Sequence, residues 1–134
     1  MSENEIADSY LRKAADSLAG AESECANRRF SNCANRAYYA AFQAAIAALV
    51  RARIRSRPGG QWPHAFVQAE FAGKLINRNR RYPAPLRSIL PDLQILRTRA
   101  DYHSDAISEI EAQRGPRRSR AFFDAIRSGG GNSC

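Results

Sequence analysis

The sequence predicts an all-α fold, an up-and-down antiparallel helical bundle of four to five helices, and three observations predict it. Apolar residues recur at helical spacing through most of the chain. No stretch keeps the two-residue alternation of a half-buried strand. Two capping boxes, Ser2 with Glu5 and Ser108 with Glu111, mark helix starts near either end. Neither an internal repeat nor a coiled-coil heptad is present. With 134 residues, 44% of them hydrophobic, the chain suits one domain with one core over 1–134. Its ordered part is expected over 4–128, with 129–134 as a flexible tail.

Taken in order, the first helix opens at Ser2 and places Ile6, Tyr10, Leu11, Ala14, Leu18, Ala21 and Cys25 on one side. Asn27-Arg28-Arg29 interrupts it. Ser31 is then expected to cap a second helix, whose apolar stripe of Cys33, Ala34, Ala37, Tyr38, Ala41, Ala44, Ala45, Ala48 and Leu49 is rich enough in alanine for a neighbour to approach closely. Pro58-Gly59-Gly60 marks a loop. Pro63 suits the first turn of a shorter third helix, Pro63 to about Ile76, with Phe66, Ala69 and Phe71 as its buried positions. After a basic loop over 77–81, Leu86 to Ala100 reads as a fourth helix that Pro91 either kinks or truly starts. The fifth opens at Ser108, is bent or split by Gly115-Pro116, buries Ala121, Phe122, Ala125 and Ile126, and ends at Gly129-Gly130-Gly131.

The formal charge is +8 with a pI near 10.1, and arginine supplies almost all of it, since Lys13 and Lys74 are the only lysines. Such an excess fits a polyanionic partner such as RNA, and equally fits a solvated basic face. Three cysteines, Cys25, Cys33 and Cys134, form no CxxC pair and no ligand knuckle, which argues against a disulfide framework or a zinc site and for a reducing cytoplasm. The acidic, polar start argues against a signal peptide, and the apolar run 40–50 is far short of the ~20 residues a membrane span needs, so a soluble cytoplasmic protein with no membrane partner is expected.

Chemistry concentrates in Leu96-Arg97-Thr98-Arg99-Ala100-Asp101-Tyr102-His103, where guanidinium groups stand close in sequence to one of only two histidines. Arginine is a permanent planar cation able to brace a phosphorane, and histidine takes and gives protons near neutral pH. Neither a metal nor another cofactor is required for such a reaction. The other histidine, His64, sits beside Pro63 and is expected to start a helix near the surface.

The run from Arg29 through Ala37-Tyr38-Tyr39-Ala40-Ala41-Phe42, the Pro63-His64 helix start, Leu93-x-x-Leu96-Arg97-x-x-Ala100-Asp101-Tyr102 and the Ala121-Phe122 helix together resemble the HEPN superfamily (higher eukaryotes and prokaryotes nucleotide-binding), in its ADY-motif form. The likeness extends from about Ile6 to Ile126. It implies a four- to five-helix bundle that forms a homodimer with a groove between protomers. In active members an Arg-x(4 to 6)-His motif forms a metal-independent endoribonuclease site that leaves a 2′,3′-cyclic phosphate. Arg97 and His103 satisfy that spacing and are the catalytic residues it implies, with Asp101 and Tyr102 in support. Active members often carry Asn, Asp or His after the arginine, where this chain has Thr98.

Residues six apart on an unbroken helix point to faces about 120° apart, so Arg97 and His103 would not meet on one. Either the helix ends near Asp101 or the two groups converge across a dimer interface. Arg99 is the competitor, since it lies four residues from His103 and shares its face if the helix persists. The motif selects Arg97, leaving Arg99 with Arg78, Arg80 and Arg81 as nucleic-acid-binding residues. Structural roles stand beside these: an ion pair of Arg97 with Asp101, a helix-end role for His103, and core or interface roles for Tyr38, Tyr39 and Tyr102.

Two functions follow. The first is an endoribonuclease serving as toxin or effector of a prokaryotic defence or toxin–antitoxin system. The second is a non-catalytic nucleotide- or RNA-binding module that partners a minimal nucleotidyltransferase. In some such pairs the partner adenylylates a tyrosine two residues after the motif histidine, and here that position is Asp105.

Overall fold

The computed structural model describes residues 2–102 and 107–129. Within them the chain forms five α-helices: α1 (Glu3–Ala26), α2 (Phe30–Arg51), α3 (His64–Glu70), α4 (Ile89–Tyr102) and α5 (Glu109–Ser128). Contacts along the helices fix their directions. Asp8 meets Arg51 and Ser17 meets Gln43, so α1 and α2 are antiparallel. Ser31 meets Ala100 while Tyr38 lies under Arg97, so α4 reverses α2. Cys33 meets Ala112 and Arg51 meets Ile126, so α5 runs with α2. The four long helices thus alternate in direction, α1 to α2 and α4 to α5 through short connections and α2 to α4 through the longer span that holds α3.

The core forms around α2, in which 14 of 22 residues are buried and most are alanine. Alanine on several sides of one helix allows close approach by α1, α4 and α5 together. Gly115 of α5 uses that closeness, for a Cβ there would stand 3.4 Å from Ala37 Cβ and 3.5 Å from Leu96 Cδ2. Ser119, one turn further, is fully buried and satisfied by donating to Ala37 O at 2.8 Å. Cys33 donates to Ala112 O, and burial, reinforced by neighbouring Cys25, pushes its thiol up to about 12, so it behaves as a small core residue. Cys25 is only half-buried.

Both capping boxes form: each serine hydroxyl accepts the amide of the glutamate three residues on, whose carboxylate accepts the serine amide. Several expected details are corrected. Ser31 does not cap α2; the N-cap is Arg29, without a side-chain bond, and the Ser31 hydroxyl donates to Ala100 O instead. The third helix is not regular from Pro63 to Ile76. Pro63 is its N-cap, α3 ends at Glu70, and a π-helical segment, Phe71–Arg78, replaces the rest and the start of the expected loop. Its wider turn brings Phe71, Leu75 and Ile76 inward, whereas Phe66 is half-buried and Ala69 exposed. Pro91 lies in the first turn of α4, where a missing N–H costs nothing, so it marks the true start, preceded by a 3-10 turn at Ala84–Ser88. Gly115-Pro116 does not split α5, which is continuous over 20 residues because both residues are packed into the interior. Phe122 and Ile126 are buried as expected, but Ala121 is exposed and Ala125 half-buried, since the inward face is completed by Ser119 and Phe123. Among the described residues no helix is long and apolar enough to cross a membrane.

Candidate functional site

The antiparallel contact of α2 and α4 sets Arg97 over two adjacent tyrosines. Its guanidinium carbon lies 5.5 Å from the Tyr38 ring centroid and 5.1 Å from that of Tyr39, within range of cation–π attraction to both. Arg97 Nε faces Asp101 Oδ2 at 3.9 Å, one helical turn on; this is an ion pair but too long for a hydrogen bond. Nε is buried without a hydrogen-bond partner among the described residues. A buried N–H left in that state costs about 1–3 kcal/mol, which an oxyanion or other acceptor placed there would recover. The tyrosine faces hold the side chain while leaving Nε unbonded among the described residues.

The same rings bring in His64. From the start of α3 its imidazole stacks on Phe42 at 4.5 Å and on Tyr38 at 5.4 Å, with Tyr39 edge-on at 6.0 Å. Nδ1 is 2.6 Å from the Tyr38 hydroxyl. One turn along α3, the Gln68 amide donates to that hydroxyl at 3.4 Å and also to Gln94 Oε1 of α4. With Gln68 occupying one lone pair, the hydroxyl is free to donate to Nδ1, an arrangement in which the neutral imidazole carries its proton on Nε2. Burial and, second, the charge of Arg97 hold the His64 pKa below its ordinary value. An NMR titration is therefore expected to give His64 a midpoint below the usual ~6.5 and a neutral ring at pH 7; a midpoint above that value would contradict the burial described here.

The expected site residues are distributed unevenly. Arg97 and Asp101 come together as an ion pair, and Asp101 and Tyr102 are exposed near the end of α4, Tyr102 by 78%. His103 follows directly in sequence and lies outside the described residues. Arg99 points to another face, where it donates to Glu111 at 2.7 and 3.4 Å; this pairing and the Ser108 contacts hold the Glu111 carboxyl below the usual carboxylate range. Arg78, the last residue of the π-helical segment, is exposed, as is Arg80 in the turn that follows, where Arg81 is half-exposed. Arg80 adopts φ 52°, and the turn is closed by the amides of residues 79–81 donating to the carbonyls of Lys74, Ile76 and Leu75. Arg80, Arg81 and Arg87 border a concavity of about 640 Å³ beside Tyr82, toward the far end of α2 from Tyr38, and none of the three makes an ion pair among the described residues.

Gln68 and Gln94 are the site residues that sequence reasoning missed, and His64 was read there as a helix start near the surface to which the family resemblance leaves a minor supporting role. The four-residue spacing of His64 and Gln68 was a usable signal that they share a helix face. Their meeting with Tyr38, 26 and 30 residues away, depends on tertiary packing.

Among the described residues the chain is a helical bundle that sets Arg97 of α4 and His64 of α3 on the tyrosines of α2, and the family model agrees with that all-α class. The HEPN domain model matches residues 7–128, and the chain belongs to that family. A comparison with curated proteins returns no match.

Proposed function

We propose that the chain is a metal-independent endoribonuclease of the HEPN type, with Arg97 and His103 as its catalytic pair. The observation that supports this most directly is the Arg97 guanidinium, held over Tyr38 and Tyr39 with an unsatisfied Nε, six residues before a histidine. In the reaction the ribose 2′ oxygen attacks the adjacent phosphorus and the bond to the 5′ oxygen breaks. The proton lost from the 2′-OH is replaced by one delivered to the leaving oxygen, giving a 2′,3′-cyclic phosphate and a 5′-hydroxyl. His103 serves one of these proton transfers, and Arg97 stabilises charge gathering on the phosphorane oxygens. Purified protein incubated with RNA in EDTA tests this: cyclic-phosphate ends formed without divalent metal support it, and cleavage abolished by EDTA counts against it.

The active form is a homodimer that joins two such sites. The exposed large apolar side chains Ile95, Tyr102 and Ile110 all lie on α4 or the start of α5, where a second protomer would cover them. A toxin or effector role in defence or a toxin–antitoxin pair fits such an enzyme. The basic turn serves the RNA backbone: neutralising Arg78, Arg80 and Arg81 together is expected to weaken binding to all sequences alike. The slope of log affinity against log salt should flatten by roughly 0.7 per lost phosphate contact. Unchanged slopes would make these arginines a solvated face. A folded, dimeric protein that binds nucleotide and cleaves nothing would favour the nucleotidyltransferase-partner module.

A further inference from the structure

We propose that His64 contacts the substrate as well, its Nε2–H donating to an oxygen of the nucleotide that adjoins the phosphate held by Arg97. This rests on the ribonuclease reading above and adds a second substrate-binding group to that site. Three observations carry it. His64 and the Arg97 guanidinium each lie within 5.5 Å of the Tyr38 ring centroid, both approach Tyr39, and the charge of Arg97 acts on the imidazole, so the two belong to one cluster. Nε2 makes no hydrogen bond among the described residues, and the His64 side chain is only part-buried. Finally, the Gln68 amide, which also donates to Gln94, donates to the Tyr38 hydroxyl that meets Nδ1, so Nδ1 is already engaged by the protein and Nε2 is the nitrogen left for a ligand.

A ring needed only to fill the space beside Phe42 would be served by leucine or phenylalanine. The hydroxyl and amides around it would then have no common purpose, and half-satisfied polar chains are costly. With Nδ1 engaged by the Tyr38 hydroxyl, Nε2 is the imidazole nitrogen left for a ligand.

The test is binding of a 2′-O-methyl oligoribonucleotide, single-stranded and resistant to cleavage, followed by fluorescence anisotropy, with ¹⁵N NMR of the histidine side chains in the wild-type protein. His64→Ala is expected to weaken binding about tenfold, the usual cost of a hydrogen bond to a charged or strongly polar acceptor. His64→Gln, whose amide presents an N–H near the position of Nε2, should recover most of that loss. In free wild-type protein the NMR should show Nε2 protonated and Nδ1 bare, and the Nε2 resonance should move when oligonucleotide is added. Unchanged affinity in folded His64→Ala, or an Nε2 resonance that stays still in the saturated wild-type complex, overturns the proposal; the second readout needs no variant to fold. If RNA is bound and cut in an Arg97-dependent way while His64 proves indifferent, this inference fails and the ribonuclease reading stands. If the wild-type protein binds no oligonucleotide, both fail.

Discussion

Arg97→Ala is expected to lower kcat for RNA cleavage by about 10²- to 10³-fold, the loss typical of removing one group that stabilises charge only in the transition state. Binding of uncleavable RNA should fall much less. Arg97→Lys should not rescue turnover, because an ammonium lacks the planar fork that spans two phosphoryl oxygens and stacks on tyrosine. Folding should barely register the change. The Asp101 pair is 3.9 Å long and part-exposed, and the buried Nε that disappears was unsatisfied, so stability should shift by no more than about 1 kcal/mol. His103→Ala belongs to the same experiment and should also abolish cleavage. If single mutants of Arg97 and His103 regain activity when mixed, the site is shared across two protomers. Full activity in either pure, folded variant would remove that residue from the catalytic pair.

The largest effect on stability is expected at Phe122. It is completely buried, its ring lies 5.0 Å from that of Phe71, and Phe71 stacks in turn on Tyr82 at 5.5 Å. These three rings tie α5 to the π-helical segment and to the basic turn behind it. Phe122→Ala should cost about 3–5 kcal/mol, because the cavity sits among side chains from three separate elements that cannot collapse together. Urea denaturation provides the measurement. A loss below about 1 kcal/mol would mean that the rings are not packed as described.

How much of this was legible in the sequence depended on the range of the interaction. Both capping boxes are local, three residues in span, and both are present as read. Ser31 looked like a cap by the same local rule, but its hydroxyl bonds to Ala100, 69 residues away, and nothing near Ser31 announces that partner. The π-helical segment was hidden for a related reason. A wide turn is adopted when packing gains exceed the local preference for regular spacing, and its packing partners Tyr82 and Phe122 lie outside the segment. Pro116 signalled a break by propensity, and burial of the Gly115-Pro116 pair overrode it. At the site, Arg97 was legible because a motif marks it. The polar chain on His64 was not, since it is assembled from α2, α3 and α4, and no single stretch contains two consecutive links of it.

Glu111 joins two helices at a single carboxylate. It receives Arg99 from α4 and the backbone amide of Ser108 at the threshold of α5, so the last turn of α4 and the first turn of α5 are tethered to a common point. Loosening either helix end therefore releases a contact of the other, and fraying of the two ends is coupled through one side chain.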